Sequence, residues 1–248
     1  MAGKERIDKL MVQQQLAGSR ERARALILAG RVLVDEQTVD KVGTQVFLDA
    51  SIRLRGEDLA YVSRGGLKLA KALEYFKLDV AGRTALDVGA STGGFTDCLL
   101  QNGAAIVVAV DVGYGQLAWK LRDDDRVVNL ERTNIRYLTA EQLDIVPDLA
   151  VIDASFISLD KVLPATLSLL SPGSDVVALI KPQFEVGKGN VGKGGVVRDP
   201  EQHLQVVEKI KALGEKLGCQ VLDVCESPVL GPKGNREFLI HLRMETAL

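Results

Sequence analysis

An α/β fold is predicted for this chain: a mostly parallel sheet covered by helices on both faces, with a small α+β unit ahead of it. Three observations predict it. A glycine-bearing turn within Thr84–Asp97, TALDVGASTGGFTD, joins an apolar strand to the start of a helix. Strand and helix patterns then alternate towards the C-terminus, as in sheets whose parallel strands are joined by crossover helices. The N-terminal stretch differs, with two helical patterns followed by short strand patterns. At 248 residues and 46% hydrophobic content the chain can bury a sizeable core and form one medium and one small domain. The expected division is residues 1–60, a linker at 61–66 and a large domain at 67–248.

Composition excludes several classes. The formal net charge is −2, which by itself indicates no polyanion partner, but the charge is unevenly spread. Between Lys4 and Arg31, seven basic residues face only Glu5, Asp8 and Glu21. Cys98, Cys219 and Cys225 lack C-x-x-C spacing, so neither a disulfide framework nor a zinc site is expected. His203 and His241 show no ligand spacing, and no metal is expected. No basic-apolar-small leader opens the chain and no apolar run reaches about eighteen residues. A cytoplasmic protein without a membrane span is the expectation.

In chain order, Arg6–Gln15 has helical spacing, with Ile7, Leu10, Met11 and Leu16 on one side. Ser19 is an N-cap for a second helix, Arg20–Ala29, stopped by Gly30. Val32–Val34, Val39 and Val46–Leu48 read as short strands. Arg6, Arg20, Arg22, Arg24 and Arg31 are left to solvent or a partner. Guanidinium groups suit phosphate bidentately, so this unit is expected to bind RNA.

Tyr61–Lys68, YVSRGGLK, connects the units; it includes Arg64, a further candidate RNA contact, and Gly65 and Gly66, which suit a hinge or a helix start. In the next strand Asp87 sits near the end, and Gly89, Gly93 and Gly94 allow a sharp turn and close approach to a ligand. The spacing is D-x-G-x-x-x-G, not G-x-G-x-x-G. Asp111 ends the following strand, Ile106–Val112, where a carboxylate suits ribose hydroxyls. Together these favour S-adenosylmethionine over a nicotinamide dinucleotide. The candidate cofactor lining is Asp87, the run Gly89, Ala90, Ser91, Thr92, Gly93, Gly94 and Phe95, then Asp111 and Asn134. Asn134 reads equally well as a turn residue.

Further strands are expected at Leu149–Asp153, Asp175–Lys181, Gln220–Val224 and Glu237–Leu242, with helices at Gly66–Phe76, Leu159–Leu170 and Glu201–Leu217. Asp87, Asp111, Asp153 and Lys181 all fall at strand carboxyl ends, where ligands of such sheets bind. The run Gln183–Asp199 nearly contains a P-loop, but Gly194 stands where the magnesium-binding hydroxyl belongs. A loop closing over RNA, with Lys188, Lys193 and Arg198 meeting phosphates, is the expectation.

Two resemblances add to this reading. R-x-D-x-L followed by LAGSRERARALILAGRVLVD resembles the S4 RNA-binding domain over roughly residues 4–60. Lys68, Asp153, Lys181 and Glu237 resemble the Lys-Asp-Lys-Glu tetrad of FtsJ-like 2′-O-methyltransferases. With S-R-G-G-x-K-L, DVGASTGGFTD and KPQFE, the combination closely resembles the TlyA family along nearly the whole chain. The resemblance implies a Rossmann-like S-adenosylmethionine-dependent methyltransferase domain behind an S4 domain, cytidine 2′-O-methylation of ribosomal RNA, and ribosomal subunits as partners. The family's older name, haemolysin, makes a membrane-active protein one alternative. A non-catalytic RNA-binding assembly factor is the other, and the intact tetrad argues against it.

The residue types fit that chemistry. A ribose 2′-hydroxyl must lose a proton to attack, and a free lysine, with a pKa of about 10.4, is mostly protonated at neutral pH. A neighbouring cation such as Lys68 and partial burial favour a neutral Lys181. Asp153 and Glu237 oppose that, which assigns them to orientation.

Overall fold

The structure is a computed structural model that describes residues 3–55, 60–187, 191–192 and 194–246. Its contacts divide the chain into two compact units, Met1–Leu59 and Ala60–Leu248.

In the first unit, β1 (Lys4–Arg6) leads directly into α1 (Ile7–Gln13), and α2 (Arg20–Leu28) follows. Next come β2 (Val32–Val34), β3 (Gln37–Val39), β4 (Gln45–Phe47) and β5 (Ile52–Leu54). Ser19 caps α2 by accepting from the Arg22 amide at 3.1 Å, and Gly30 takes the left-handed conformation after it. Ile7, Met11, Ala23, Ile27 and Val32 form a small closed core. Two strands were not legible: β1 pairs antiparallel with β4, and β5 pairs with β2. Three residues are too few to show an alternation, so only the partner strand defines them. For the same reason Arg6, expected to open the first helix, closes β1 instead.

The second unit begins with α3 (Gly65–Phe76), β6 (Thr84–Val88), α4 (Gly94–Gln101), β7 (Ile106–Val110), α5 (Trp119–Arg122) and β8 (Val127–Leu130). It continues with β9 (Leu149–Ile152), α6 (Leu159–Leu167), β10 (Asp175–Ile180), α7 (Pro182–Glu185), α8 (Pro200–Lys216), β11 (Cys219–Glu226) and β12 (Phe238–Met244). The sheet order is β11-β12-β10-β9-β6-β7-β8. The strands from β10 to β8 are parallel, while β12 runs antiparallel to both neighbours.

Each strand divides its side chains between two cores. Val88, Ile152 and Ile180 meet α6 and α8 residues such as Leu163 and Ile210. Val151, Val177 and Leu179 join Leu69, Phe95 and Leu99 of α3 and α4. Burial on both faces explains why these strands read as unbroken apolar runs. From β6 the chain builds outward to β7 and β8, then returns to place β9 on the other side of β6. That reversal opens a crevice at the carboxyl ends of β6 and β9, the usual ligand position in such sheets. The segment read as a linker is held within this unit: the Val62 amide donates to Asp97 Oδ2 at 2.7 Å. Gly65 and Gly66 form the first turn of α3 rather than a hinge.

Candidate active site

Four segments deliver the four charged candidates to one place. Asp153 follows β9 and Lys181 follows β10. Glu237 precedes β12, and because β12 is reversed its beginning lies beside the end of β10, with Ile180 opposite Phe238. Lys68 comes from the first half of α3.

The four meet as two ion pairs. Lys68 Nζ donates to Glu237 Oε2 at 2.6 Å, with both groups buried. Gln183 Nε2 donates to the other carboxylate oxygen of Glu237 at 3.0 Å. Gly231 leaves room for that carboxylate, since a Cβ there would lie 2.1 Å from Glu237 Oε1. Lys181 Nζ lies 2.6 Å from Asp153 Oδ1. It also donates to Ser155 Oγ at 2.8 Å and to the Asp153 carbonyl at 3.3 Å. All four tetrad side chains line a cavity of about 290 Å³. The turn Gly89–Thr92 forms another wall of it, and the run Val229–Pro232 a third.

The glycine turn after β6 is shaped by packing as well as by a ligand. Gly89 has φ +86°, and a Cβ on it would lie 2.9 Å from the Asp153 carbonyl, so the turn can close against the β9 loop only with glycine. Gly93, expected to face the cofactor, does not line the cavity. Its missing side chain would fall 2.2 Å from Leu121 and 2.8 Å from Leu117, so Gly93 serves the packing of α5 and the loop before it. Gly94, which does line the cavity, allows α4 to approach α3: a Cβ would lie 2.9 Å from the Gly66 amide. Asp111 lies outside the lining but is tied to it. One carboxylate oxygen accepts from the Ser91 amide at 2.8 Å, the other from the Gly113 amide at 2.6 Å. A carboxylate has about four lone-pair sites, so capacity for ribose hydroxyls remains. The site thus offers the backbone turn and acidic strand end that an adenosyl cofactor requires. Asn134 caps the turn Ile135–Tyr137 by accepting from the Arg136 amide at 3.1 Å, the structural half of its two readings.

Asp87 is fully buried beneath the turn instead of lining it. Thr96 Oγ1 donates to its Oδ2 at 2.6 Å, and its Oδ1 has no hydrogen-bond partner. Burial pushes the carboxyl up to about 7, partly offset by the Thr96 hydroxyl. The sign of the linkage follows. In the unfolded chain Asp87 ionises near its ordinary value of 3.8, so between that pH and about 7 the folded state holds an extra proton, and stability falls as pH rises. Asp87→Asn, which keeps an acceptor for Thr96, is expected to melt several degrees higher than wild type at pH 8, with the difference vanishing at pH 4. Calorimetry at the two pH values checks this.

Comparison with known proteins places this geometry. Residues 61–244 match the model of the FtsJ-like methyltransferases, and residues 5–47 match that of the S4 domain. Over 247 residues the chain is 50% identical to the 16S/23S rRNA (cytidine-2′-O)-methyltransferase TlyA of Mycobacterium tuberculosis, covering 99% of this chain and 92% of that one. The chain belongs to the TlyA family. Another relative is Hemolysin A of Brachyspira hyodysenteriae, 40% identical over 239 residues, with 95% of this chain and 98% of that protein covered. Among solved structures, a hemolysin-named protein from Streptococcus thermophilus aligns with a TM-score of 0.77 at 46% identity, covering 99% of this chain and 90% of that one. A Listeria monocytogenes protein named for S-adenosylmethionine-dependent methyl transfer shares the fold alone, at TM-score 0.54 and 15% identity, over 74% of this chain and all of that one.

The remaining candidates divide. Arg64 lines the cavity, and Arg198 is exposed, while Lys188 and Lys193 lie outside the described residues. In the first unit, Arg6 and Arg20 converge on buried Asp8, at 2.9 Å and 2.7 Å. These guanidinium groups, Arg6 first, pull the Asp8 carboxyl down to about 2. Arg24 is exposed, and Arg31 donates to the Arg55 carbonyl at 3.1 Å.

Sequence reasoning missed Ser155, which lines the cavity, and three residues around it: Phe156, Gln183 and Glu185. Phe156 is 90% exposed and holds φ +63°, a conformation bulky side chains avoid. Its ring lies 5.3 Å from that of Phe184. Glu185 is buried and accepts from Ser158 Oγ at 2.6 Å and the Leu159 amide at 2.7 Å. It thereby ties the loop after β9 to the helix after Lys181. The adjacency of DASF to Asp153 was the available signal for the first two.

Proposed function

We propose that the chain is an S-adenosylmethionine-dependent methyltransferase acting on the 2′-hydroxyl of a cytidine in ribosomal RNA. The observation that carries this reading is the convergence of two lysine–carboxylate pairs, Lys68–Glu237 and Lys181–Asp153, in one cavity beside the glycine turn. The turn Gly89–Thr92 and Asp111 would hold the cofactor, which when bound supplies an electrophilic methyl group. Lys181 is the base for the ribose proton, and Asp153 orients its amine. Lys68 and Glu237, the latter also held by Gln183, form a wall that positions the sugar, and positioning is a large part of the barrier to a two-substrate reaction. The open ring of Phe156 suits stacking on a base taken out of its helix. Ribosomal RNA as substrate also places the protein in the cytoplasm.

Among the described residues no helix is long and apolar enough to cross a membrane, and no group of three or more His, Cys, Asp or Glu side chains could hold a metal ion. Mapping 2′-O-methyl marks in rRNA with and without the protein tests the proposal: new marks on cytidines are expected, and their absence would sink it.

The first unit supplies RNA affinity in this reading. Removing residues 1–59 is expected to leave calorimetric S-adenosylmethionine binding intact and to abolish rRNA methylation. Arg20 is a poor probe, because its loss also unpairs Asp8. Arg24→Ala, at an exposed position, is the better one, and should lower the log–log salt slope of RNA binding by roughly one unit per lost phosphate contact. A truncated chain that methylates as well as the full one contradicts this division of labour.

A further inference from the structure

Lys181 faces three oxygens: Asp153 Oδ1 at 2.6 Å, Ser155 Oγ at 2.8 Å and the Asp153 carbonyl at 3.3 Å. A protonated amine has three N–H groups and no lone pair; Lys181 donates to Ser155 Oγ and the Asp153 carbonyl, while Asp153 Oδ1 lies at ion-pair distance without accepting a hydrogen bond. In that arrangement no lone pair faces the substrate. For Lys181 to act as a base it must lose a proton, and a group beside it must then donate one to its lone pair. A carbonyl oxygen carries no proton and an ionised carboxylate only accepts. The Ser155 hydroxyl alone of the three can reverse its role, because it is both donor and acceptor.

Position supports the chemistry. Ser155 is exposed and lines the cavity together with Lys68 and Glu237. The loop that carries it is anchored on both sides. The Asp153 amide donates to the Val88 carbonyl at 2.9 Å. The Ser158 hydroxyl and the Leu159 amide both donate to Glu185, which Lys209 Nζ approaches to 3.2 Å. A hydroxyl on a tethered loop, between a buried amine and an open cavity, is placed to pass a proton inward.

We propose that Ser155 is a catalytic residue that relays the substrate proton to Lys181. The proposal rests on the ribose-methylation reading above. The ribose 2′-hydroxyl gives its proton to Ser155 Oγ as the Ser155 hydroxyl proton passes to the lone pair of Lys181 Nζ. The freed electron pair on the 2′-oxygen forms the new bond to the methyl carbon, and the sulfonium sulfur keeps the electrons of the bond it loses. Ser155 ends the step unchanged and Lys181 ends it as an ammonium.

The test uses the full-length protein with rRNA and S-adenosylmethionine under single-turnover conditions, comparing wild type, Ser155→Ala and Ser155→Thr. Loss of the relay should lower the rate roughly 10²-fold, the lower end for removing an acid–base group. S-adenosylmethionine affinity by calorimetry and RNA retention on filters should stay within twofold of wild type. The threonine variant, which keeps a hydroxyl, should recover most of the rate. In mixtures of light and heavy water, the wild-type rate should fall along a bowed curve, for two protons in flight, and the alanine variant along a straight line. An alanine variant with near wild-type rate overturns the relay, as does one whose curve stays bowed. Loss of cofactor or RNA binding in that variant overturns it too, by showing that Ser155 acts through structure. A wild-type protein that leaves rRNA ribose unmethylated overturns the parent reading, and the relay with it.

Discussion

Lys181→Ala is expected to lower the single-turnover rate of rRNA methylation by about 10²-fold or more, with S-adenosylmethionine affinity nearly unchanged. The lysine is buried where β10 ends, its amine held by Asp153 and Ser155, and it lines the cavity. Its loss removes the proposed acceptor of the ribose proton and leaves the glycine turn and Asp111 in place. Lys181→Arg should fail as well, because a guanidinium stays protonated at any working pH. Single-turnover methylation by wild type and the two variants distinguishes these outcomes. An arginine variant with near wild-type rate would show that position 181 needs only positive charge, and the base would have to be another group.

Breaking the second pair should strike stability as well as rate. Glu237 is 1% exposed, and its carboxylate is held by Lys68 at 2.6 Å and Gln183 at 3.0 Å. Lys68→Met removes the cation and leaves a buried carboxylate with one amide donor. Such a change costs about 3–5 kcal/mol, or roughly 6–20 °C in the melting temperature of a domain of this size. Replacing both members, Lys68→Met with Glu237→Leu, removes the stranded charge. The double variant should regain most of the stability, since an apolar pair of similar volume is often no worse than a buried ion pair. It should not regain activity, because the wall that positions the ribose is gone. Calorimetry and single-turnover kinetics on the three variants separate the two effects. A single variant as stable as wild type would show that water or a rearranged side chain reaches Glu237.

The residues themselves made much of this legible. The strand–glycine–helix pattern of Thr84–Asp97 located the crevice, because a sharp turn between a buried strand and a helix leaves few alternatives to glycine. Asp153 and Lys181 could be placed at strand ends because the apolar runs before them stop abruptly. Gly93 misled for a physical reason. A glycine needed for ligand approach and one needed for side-chain packing look alike in a sequence, and Leu117 and Leu121 are what fill the space beside it. Asp87 was likewise placed in the lining, since nothing local shows that the following helix covers it.

What the sequence determined by itself is the order and type of the main elements, the basic character of the N-terminal unit and the four charged residues proposed to carry the chemistry. The first two follow from local periodicity and residue chemistry, and the set of four from the resemblance to the methyltransferase tetrad. Tertiary structure decided how the four are paired. Lys68 and Glu237 are separated by 169 positions, and nothing local relates them. They meet because β12 inserts against the direction of its neighbours and returns its first residues to the edge where β10 ends. The same folding sets the Ser155 hydroxyl against Lys181 across 26 positions, since parallel pairing of β9 and β10 aligns their exits. Strand direction and register are properties of the assembled sheet, in which a backbone hydrogen-bond ladder and two buried faces are satisfied together. No single segment carries that information.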